Sequence, residues 1–439
     1  MKGFLLDLNR CTGCHACRLA CSIENELGAG NSWREIYTFN EVRLPGIPRF
    51  HLSLGCQHCV DAACMRTCPA SAYRRDLSTG AVLVDSERCI GCGYCRWACP
   101  FDAPHYSRVE GTVSKCTLCY ARVADGKSPA CANLCPTGAL QFTELDSDAG
   151  IQGVPGFPAT NLEPAMRFLP LRAPSAVGPE LEIPSGESAP EFGPAAMAFT
   201  RVAKAADGSE WSLVLFTLAA SLLVALAGAA VLGSLRLEAP VFLVALAGAM
   251  AVGSLHLGKP QRAWRAVLNL RGSWLSREIL FYLAFAILAA AIAMLPGERN
   301  LILPVVLAGL ATLFSVDMVY GAVSQNHGSL RHSAGAVLTG LFLYGILTGN
   351  AFAAGLTGLV KLVLYAFRKD WFGSAWRPLA TLLRLTLGFV IPLAIWSEYP
   401  GWVLLPALMG ELIDRIEYYA DLNIPSPVRQ MTVDLQSKR

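Results

Sequence analysis

The sequence is poor in charge. Only 16% of its 439 residues are Asp, Glu, Lys or Arg, against roughly 25% in soluble domains. Hydrophobic residues make up 53%, so neither a wholly soluble globule nor a disordered chain fits. The net charge of +3 is too small for a nucleic-acid surface, and no nucleic-acid partner is expected. The opening MKGFLLDLNRCTGC has neither a charged stretch followed by a long apolar core nor a twin-arginine pair. A cleaved secretory signal is therefore not expected. Without export cysteines stay reduced, which makes disulfides a poor account of them. No cysteine follows Cys135, so thiolate chemistry is confined to the first third.

That third holds 16 cysteines in four groups of four. Cys11, Cys14, Cys17 and Cys21 read C-x2-C-x2-C-x3-C. Cys56, Cys59, Cys64 and Cys68 read C-x2-C-x4-C-x3-C, with Pro69 next. Cys89, Cys92, Cys95 and Cys99 repeat the first spacing before Pro100. Cys116, Cys119, Cys131 and Cys135 contain an 11-residue insert and precede Pro136. Thiolates two residues apart can wrap one face of a cubane cluster, while a fourth on the following short helix points to the other cluster of a pair. The proline stops the helix past that ligand. Structural zinc sites instead use two C-x2-C pairs across a longer loop. Four [4Fe–4S] clusters are expected, forming a wire with no substrate pocket of its own. His15, His51, His58 and His105 lie in the same third. No group lacks a ligand, so they read as hydrogen-bonding or surface residues.

Residues 146–210 are rich in Pro, Gly, Ala and Ser and show no periodicity, which reads as an extended tether. From Trp211 the chain is mostly apolar. Runs near 211–235, 239–258, 279–297, 301–320, 333–350, 352–368, 378–397 and 400–419 suggest about eight spans, with Gly349-Asn350 as the break between two of them. The organisation expected is an α+β tandem ferredoxin-like iron–sulfur domain at 1–145, the tether at 146–210, an all-α transmembrane helix bundle at 211–420 and a tail at 421–439.

Loop charges are uneven. Lys259, Arg262, Arg265, Arg271 and Arg277 crowd one loop, and Arg368, Lys369 and Arg377 another, both on the iron–sulfur side. The opposite loops offer Arg236 and Arg299 against Glu238, Glu298 and Glu398. The positive-inside rule then puts the iron–sulfur domain in the cytoplasm, at the inner membrane. Export with a partner carrying a twin-arginine signal would put it in the periplasm instead. Trp264, Trp274, Trp371 and Trp376 read as an interfacial belt.

Ionisable residues inside a membrane are functional candidates. His256, Glu278, Arg262, Asp317, Arg384 and Glu411 are taken as the quinone-site candidates, because a quinol needs an apolar pocket with groups that accept two protons. Arg384 with Glu411, or Arg415 with Asp414 and Glu417, would serve equally as ion pairs between helices. Lys361 stands nearer mid-span. Paired histidines for haem are lacking, since His327 and His332 fall in a loop; no haem is expected.

The segments CTGCHACRLAC, CQHCVDAACMRTCP, CIGCGYCRWACP and CTLCYARVADGKSPACANLCP resemble the four-cluster iron–sulfur subunit of dimethyl sulfoxide reductase-type molybdenum enzymes. The resemblance covers roughly residues 1–175. It implies one cluster on Cys11, Cys14, Cys17 and Cys135 and a second on Cys21, Cys116, Cys119 and Cys131. A third takes Cys56, Cys59, Cys64 and Cys99, and a fourth Cys68, Cys89, Cys92 and Cys95. SLHLGKPQRAWRAVLNLRGSWLSREIL, RLTLGFVIPL and GELIDRIEYYA resemble the haem-free anchor subunit of the same enzymes, whose quinol-site histidine and glutamate map onto His256 and Glu278. The chain thus looks like a fusion of two neighbouring subunits. The resemblance implies a non-catalytic redox subunit, exchanging electrons with menaquinone or ubiquinone in the lipid and with a separate molybdopterin-bearing subunit. Electrons are expected to enter at the Cys21, Cys116, Cys119 and Cys131 cluster and leave at that on Cys11, Cys14, Cys17 and Cys135. The alternatives are a cluster-driven proton-translocating protein and a structural anchor without a quinone site.

Overall fold

In a computed structural model the residues described are 2–28, 31–145, 150–172, 211–295, 298–323, 332–371, 377–422 and 425–437. His327 and Trp376 lie outside them, as does most of the tether.

The first third is built of short strands and short helices, because its loops turn back on themselves every few residues. Its one larger sheet has three strands. β1 (Lys2–Asp7) lies between β8 (Leu140–Glu144), antiparallel with Phe4 opposite Phe142, and β9 (Met166–Leu169), parallel with Leu6 opposite Phe168. Three hairpins complete the strands: β2 (Glu35–Phe39) with β3 (Phe50–Leu54), β4 (Tyr73–Arg75) with β5 (Val82–Val84), and β6 (His105–Ser107) with β7 (Thr112–Ser114). Short helices α1 (Ala16–Glu24), α2 (Ala63–Arg66), α3 (Tyr94–Ala98), α4 (Tyr120–Ala124) and α5 (Ala130–Asn133) each start inside or just after a cysteine group. Because β9 lies beyond residue 145, the folded domain is longer than expected. The first part of the supposed tether is its third strand, held by the buried Met166 and Phe168.

A helix stands at every position where a span is expected. They are α6 (Trp211–Val231), α7 (Ala239–Ser254), α8 (Trp274–Met294), α9 (Ile302–Val323), α10 (Ala336–Leu347), α11 (Ala351–Trp371), α12 (Pro378–Leu385) running through a π turn into α13 (Ile391–Ile395), and α14 (Leu404–Asp421). Five stretches among the described residues are long and apolar enough to cross a membrane: Trp211–Val231, Trp274–Met294, Arg299–Ala322, Ala351–Lys369 and Pro378–Ile395. Ala239–Ser254 and Ala336–Leu347 are apolar but shorter, below the ~20 residues a spanning helix needs. The last helix carries Glu411, Asp414, Arg415 and Glu417 within four-residue steps. Among the described residues five of these eight helices thus meet the length and hydropathy requirement for a span, and the other three pack with them.

The tail folds too. In α15 (Pro427–Gln436) the Ser426 hydroxyl caps the helix by accepting from the Arg429 amide at 3.3 Å, and Pro427 occupies its first turn, a favoured start. Its Met431 and Leu435 are buried in the core of the N-terminal domain, and the Asp434 carboxylate accepts from the Gly156 amide at 2.6 Å.

Candidate electron-transfer centre

Each cysteine group uses the same local device. Two residues after its first cysteine the backbone turns left-handed: Gly13 (φ 69°), His58 (φ 43°), Gly91 (φ 71°) and Leu118 (φ 62°). That turn aims the amide back at the sulfur. His58 donates to Cys56 Sγ at 3.5 Å, Gly91 to Cys89 Sγ at 3.4 Å, and Leu118 to Cys116 Sγ at 3.3 Å; Gly13 does the same for Cys11. Glycine adopts this conformation freely, whereas His58 and Leu118 hold it at a cost of about 1–3 kcal/mol, as functional backbone often does.

Folding gathers sulfurs from distant groups. Cys11 neighbours Cys14, Cys17 and Cys135, and all four line one cavity with Ser53. Cys21, Cys116 and Cys119 share Cys131 as neighbour. Cys59 faces Cys56, Cys64 and Cys99. Cys95 faces Cys68, Cys89 and Cys92. Burial pushes the Cys92 thiol up to about 12, so loading a metal there expels a proton.

The four sets form a row. Cys17 adjoins Cys131, Cys116 adjoins Cys56, and Cys64 adjoins Cys95. At the first junction lies Arg34, 3% exposed, bonded to the Ser53 carbonyl at 2.9 Å and hydroxyl at 3.2 Å; Ser53 in turn meets Cys17 Sγ at 3.3 Å. At the second lies Lys115, 2% exposed, with its ammonium 3.4 Å from Cys56 Sγ and 3.0 Å from the Cys116 carbonyl. Burial opposes both charges, yet the surrounding sulfurs outweigh it and raise both pKa values. Neither cation meets a carboxylate among the described residues. Two buried cations ringed by thiols fit anionic metal–thiolate centres, [4Fe–4S] clusters among them. At the third junction lies the phenol of Tyr73, among Cys64, Cys68 and Cys95. His58 is buried, and its Nδ1 accepts from the Val82 amide at 3.0 Å; burial first, then Lys115, holds its pKa well below the usual range. It is a neutral structural residue.

The membrane helices meet the row at one end. Gly258 donates to the Gly91 carbonyl at 3.3 Å and Lys259 to the Ile90 carbonyl at 3.1 Å. The approach needs glycine: a Cβ on Gly258 would stand 2.1 Å from the Gly111 carbonyl. Arg262 donates to the carbonyls of Ser86 at 2.7 Å and Cys89 at 3.1 Å, and Asn269 to those of Arg66 at 2.9 Å and Cys68 at 3.0 Å. Tyr94, between Cys92 and Cys95, reaches into the bundle and donates to the Val319 carbonyl at 2.9 Å. Trp97 packs on Tyr320 with ring centres 6.1 Å apart. The set beside the membrane is therefore Cys68, Cys89, Cys92 and Cys95. This corrects the expected entry at Cys21, Cys116, Cys119 and Cys131, which lies beyond the third set. Sequence order gave no hint of which loop would meet the bundle.

The quinone-site candidates separate into two groups. Glu278 is buried among Tyr94, Tyr320, Tyr419 and Asp317. His256 opens the segment that docks on Ile90 and Gly91. Its Nδ1 faces the Gly253 carbonyl at 2.5 Å, so that nitrogen carries the hydrogen and Nε2 is the acceptor of the neutral ring. The others have structural partners. Asp317 caps α10, accepting from the amides of Ala336 at 2.6 Å and Val337 at 3.1 Å. Arg262 anchors the interface. Arg384 pairs with Glu411 at 3.0 Å and Asp414 at 3.3 Å, and Lys361 with Glu411 at 2.9 Å. Arg368 meets Asp414 at 3.0 Å, and Lys369 meets Glu417 at 2.9 Å. Arg415 bonds Ser221 at 3.1 Å rather than the acids of its own helix. His332 stacks on Tyr418 at 3.9 Å. Sequence reasoning missed Arg34, Lys115, Tyr73 and Tyr94. Only the Ser-Lys-Cys and Gly-Tyr-Cys adjacencies could have flagged two of them.

Cysteine sets in a row, seated on apolar helices, define a ferredoxin-type electron carrier with a membrane anchor. A family described as a 4Fe-4S dicluster domain matches residues 49–145. The probable anaerobic dimethyl sulfoxide reductase subunit YnfG of Escherichia coli (strain K12) is 42% identical over 152 residues, covering 33% of this chain and 74% of that protein. An anaerobic dimethyl sulfoxide reductase subunit of Haemophilus influenzae is 40% identical over 153 residues, again 33% and 74%. The formate dehydrogenase-O iron-sulfur subunit of Escherichia coli (strain K12) is 39% identical over 163 residues, 33% of this chain and 53% of that protein. The chain belongs to the family of iron–sulfur electron-transfer subunits of dimethyl sulfoxide reductase-type complexes, and its helical C-terminal part is consistent with a fusion.

Proposed function

We propose that the chain passes electrons between membrane quinone, menaquinone or ubiquinone, and a molybdopterin-bearing catalytic subunit. Four [4Fe–4S] clusters are held by the four cysteine sets, and when bound they supply one-electron carriers of tunable potential. The order from the membrane is the Cys68/Cys89/Cys92/Cys95 set, then Cys56/Cys59/Cys64/Cys99, then Cys21/Cys116/Cys119/Cys131, then Cys11/Cys14/Cys17/Cys135. The last has an exposed member, Cys14, suited to a partner surface.

The single observation that carries this reading is Tyr94. Flanked by Cys92 and Cys95, it sits against Glu278 and Tyr320 of the bundle, so the protonatable groups and the nearest cysteine set share one boundary. A quinol losing two electrons releases two protons. The Glu278 carboxylate and the His256 Nε2 are the acceptors, while aromatic Tyr94, Trp97 and Tyr320 supply apolar walls for the ring. The protein resides in the inner membrane with its cluster domain on the cytoplasmic face, a reading supported by Lys259, Arg265, Arg271 and Arg277 in one loop. Protease access to the domain in intact spheroplasts would reverse that side.

The test is quinol-driven cluster reduction in membranes, followed by electron paramagnetic resonance. Glu278→Gln and His256→Asn should each slow it at least tenfold, while dithionite still reduces every cluster. Unchanged rates in both would leave the bundle a plain anchor.

A further inference from the structure

Resting on the four-cluster reading, we propose that Arg34 and Lys115 are fixed positive charges that set the potentials of the clusters on either side of the first two junctions, while among the described residues the junction nearest the membrane has no buried cation.

Arg34 lies between the Cys11/Cys14/Cys17/Cys135 and Cys21/Cys116/Cys119/Cys131 sets: Cys17, Cys21, Cys116 and Cys131 are the sulfurs that act on it. Lys115 lies between the second set and the third, with Cys56 and Cys64 on one side and Cys116 on the other. Both are almost fully buried, so water does not screen them. Adding an electron to a cluster adds negative charge, and a nearby cation stabilises that state and raises the potential. The membrane-side junction differs. The strongest side-chain influences on Cys92 and Cys95 are other cysteines and Tyr73. Arg262 reaches the Cys89 carbonyl but is partly exposed to solvent, where its field is weakened. The three clusters flanking a cation therefore hold electrons more tightly than the one beside the quinone. The first transfer inward from the membrane-side cluster is therefore downhill. Each residue acts through the clusters and touches no substrate, so both are positioning residues.

The test is a redox titration of the full chain in its complex, reading cluster midpoints by electron paramagnetic resonance. Lys115→Gln should move two of the four midpoints downward, each by about tenfold in one-electron equilibrium, that is about 59 mV. Arg34→Gln should also move two. One midpoint should move in both variants, and one in neither. Lys115→Arg and Arg34→Lys should keep all four near wild type. Four midpoints moving together, or none moving while all signals persist, would overturn the assignment. If Lys115→Gln fails to load iron, Arg34→Gln decides by its own two-of-four pattern, and loss of every cluster from both variants would leave the cations purely structural and end the proposal. Wild-type protein without four cluster signals would instead refute the four-cluster reading itself.

Discussion

Both halves of the molecule bury cations, but they neutralise them differently. In the bundle Lys361, Arg368, Lys369 and Arg384 each meet a carboxylate of α14 within 2.9–3.0 Å. In the cluster domain Arg34 and Lys115 meet sulfur and carbonyl oxygen. A buried cation is tolerated only with a compensating charge. The bundle carries its compensation in its own sequence. The domain leaves it to inorganic clusters, so its fold depends on what is loaded into it.

Iron removal tests this contrast most severely. Stripping iron with a chelator and oxidant should leave Arg34 and Lys115 uncompensated and unfold residues 1–172, read as rapid proteolysis there, while the helices of 211–421 stay protected and helical by circular dichroism. Equal survival of both halves would erase the distinction. Next in size is the ion network. Arg384→Met removes one of the two cations on each of Glu411 and Asp414, leaving them to Lys361 and Arg368, and should cost about 3 kcal/mol, seen as lost thermal stability in detergent. Arg384→Met with Glu411→Gln should recover part of it, because one charge of each sign is removed together while an amide oxygen remains to accept from Lys361. A double variant as unstable as the single would mean the network does more than neutralise. The smallest effect belongs to the junction. Tyr94→Phe removes one hydrogen bond, about 1 kcal/mol, and should slow quinol-driven reduction severalfold at most while cluster content is unchanged; iron loss would instead make Tyr94 part of the domain's scaffold.

The cysteines were legible because cluster ligation is largely local. A C-x2-C turn fixes its geometry within four residues, and the left-handed positions at Gly13 and Gly91 are visible as glycines. His58 and Leu118 hide the same turn behind side chains that rarely adopt it. The helices were legible from hydropathy, but α7 and α10 end sooner than their apolar runs, at Ser254 and Leu347, near glycine and polar residues that stop the ladder. What sequence could not reveal is contact between remote segments. Asp317 reads as an intramembrane acid, and only the arrival of Ala336 turns it into a helix cap. Arg384 and Glu411 read equally as ligand or ion pair until α11 brings Lys361 beside them. Cationic loop residues pointed to one side of a membrane, yet Arg262 is occupied in holding the cluster domain and Arg368 and Lys369 are buried in the bundle. The strand at Met166–Leu169 was masked by a neighbourhood of Pro and Gly.

The return of α15 to the first domain gives the molecule a second mechanical joint. One joint is the docked loop around Gly258 and Arg262; the other is Met431 and Leu435 seated beside Phe157 and Leu52. Since both belong to one polypeptide, reassociation after any transient opening is a unimolecular event with a high effective concentration. Separate subunits would face dilution at that step. Here the spacing between carrier and lipid is restored at a rate independent of how much protein the cell makes.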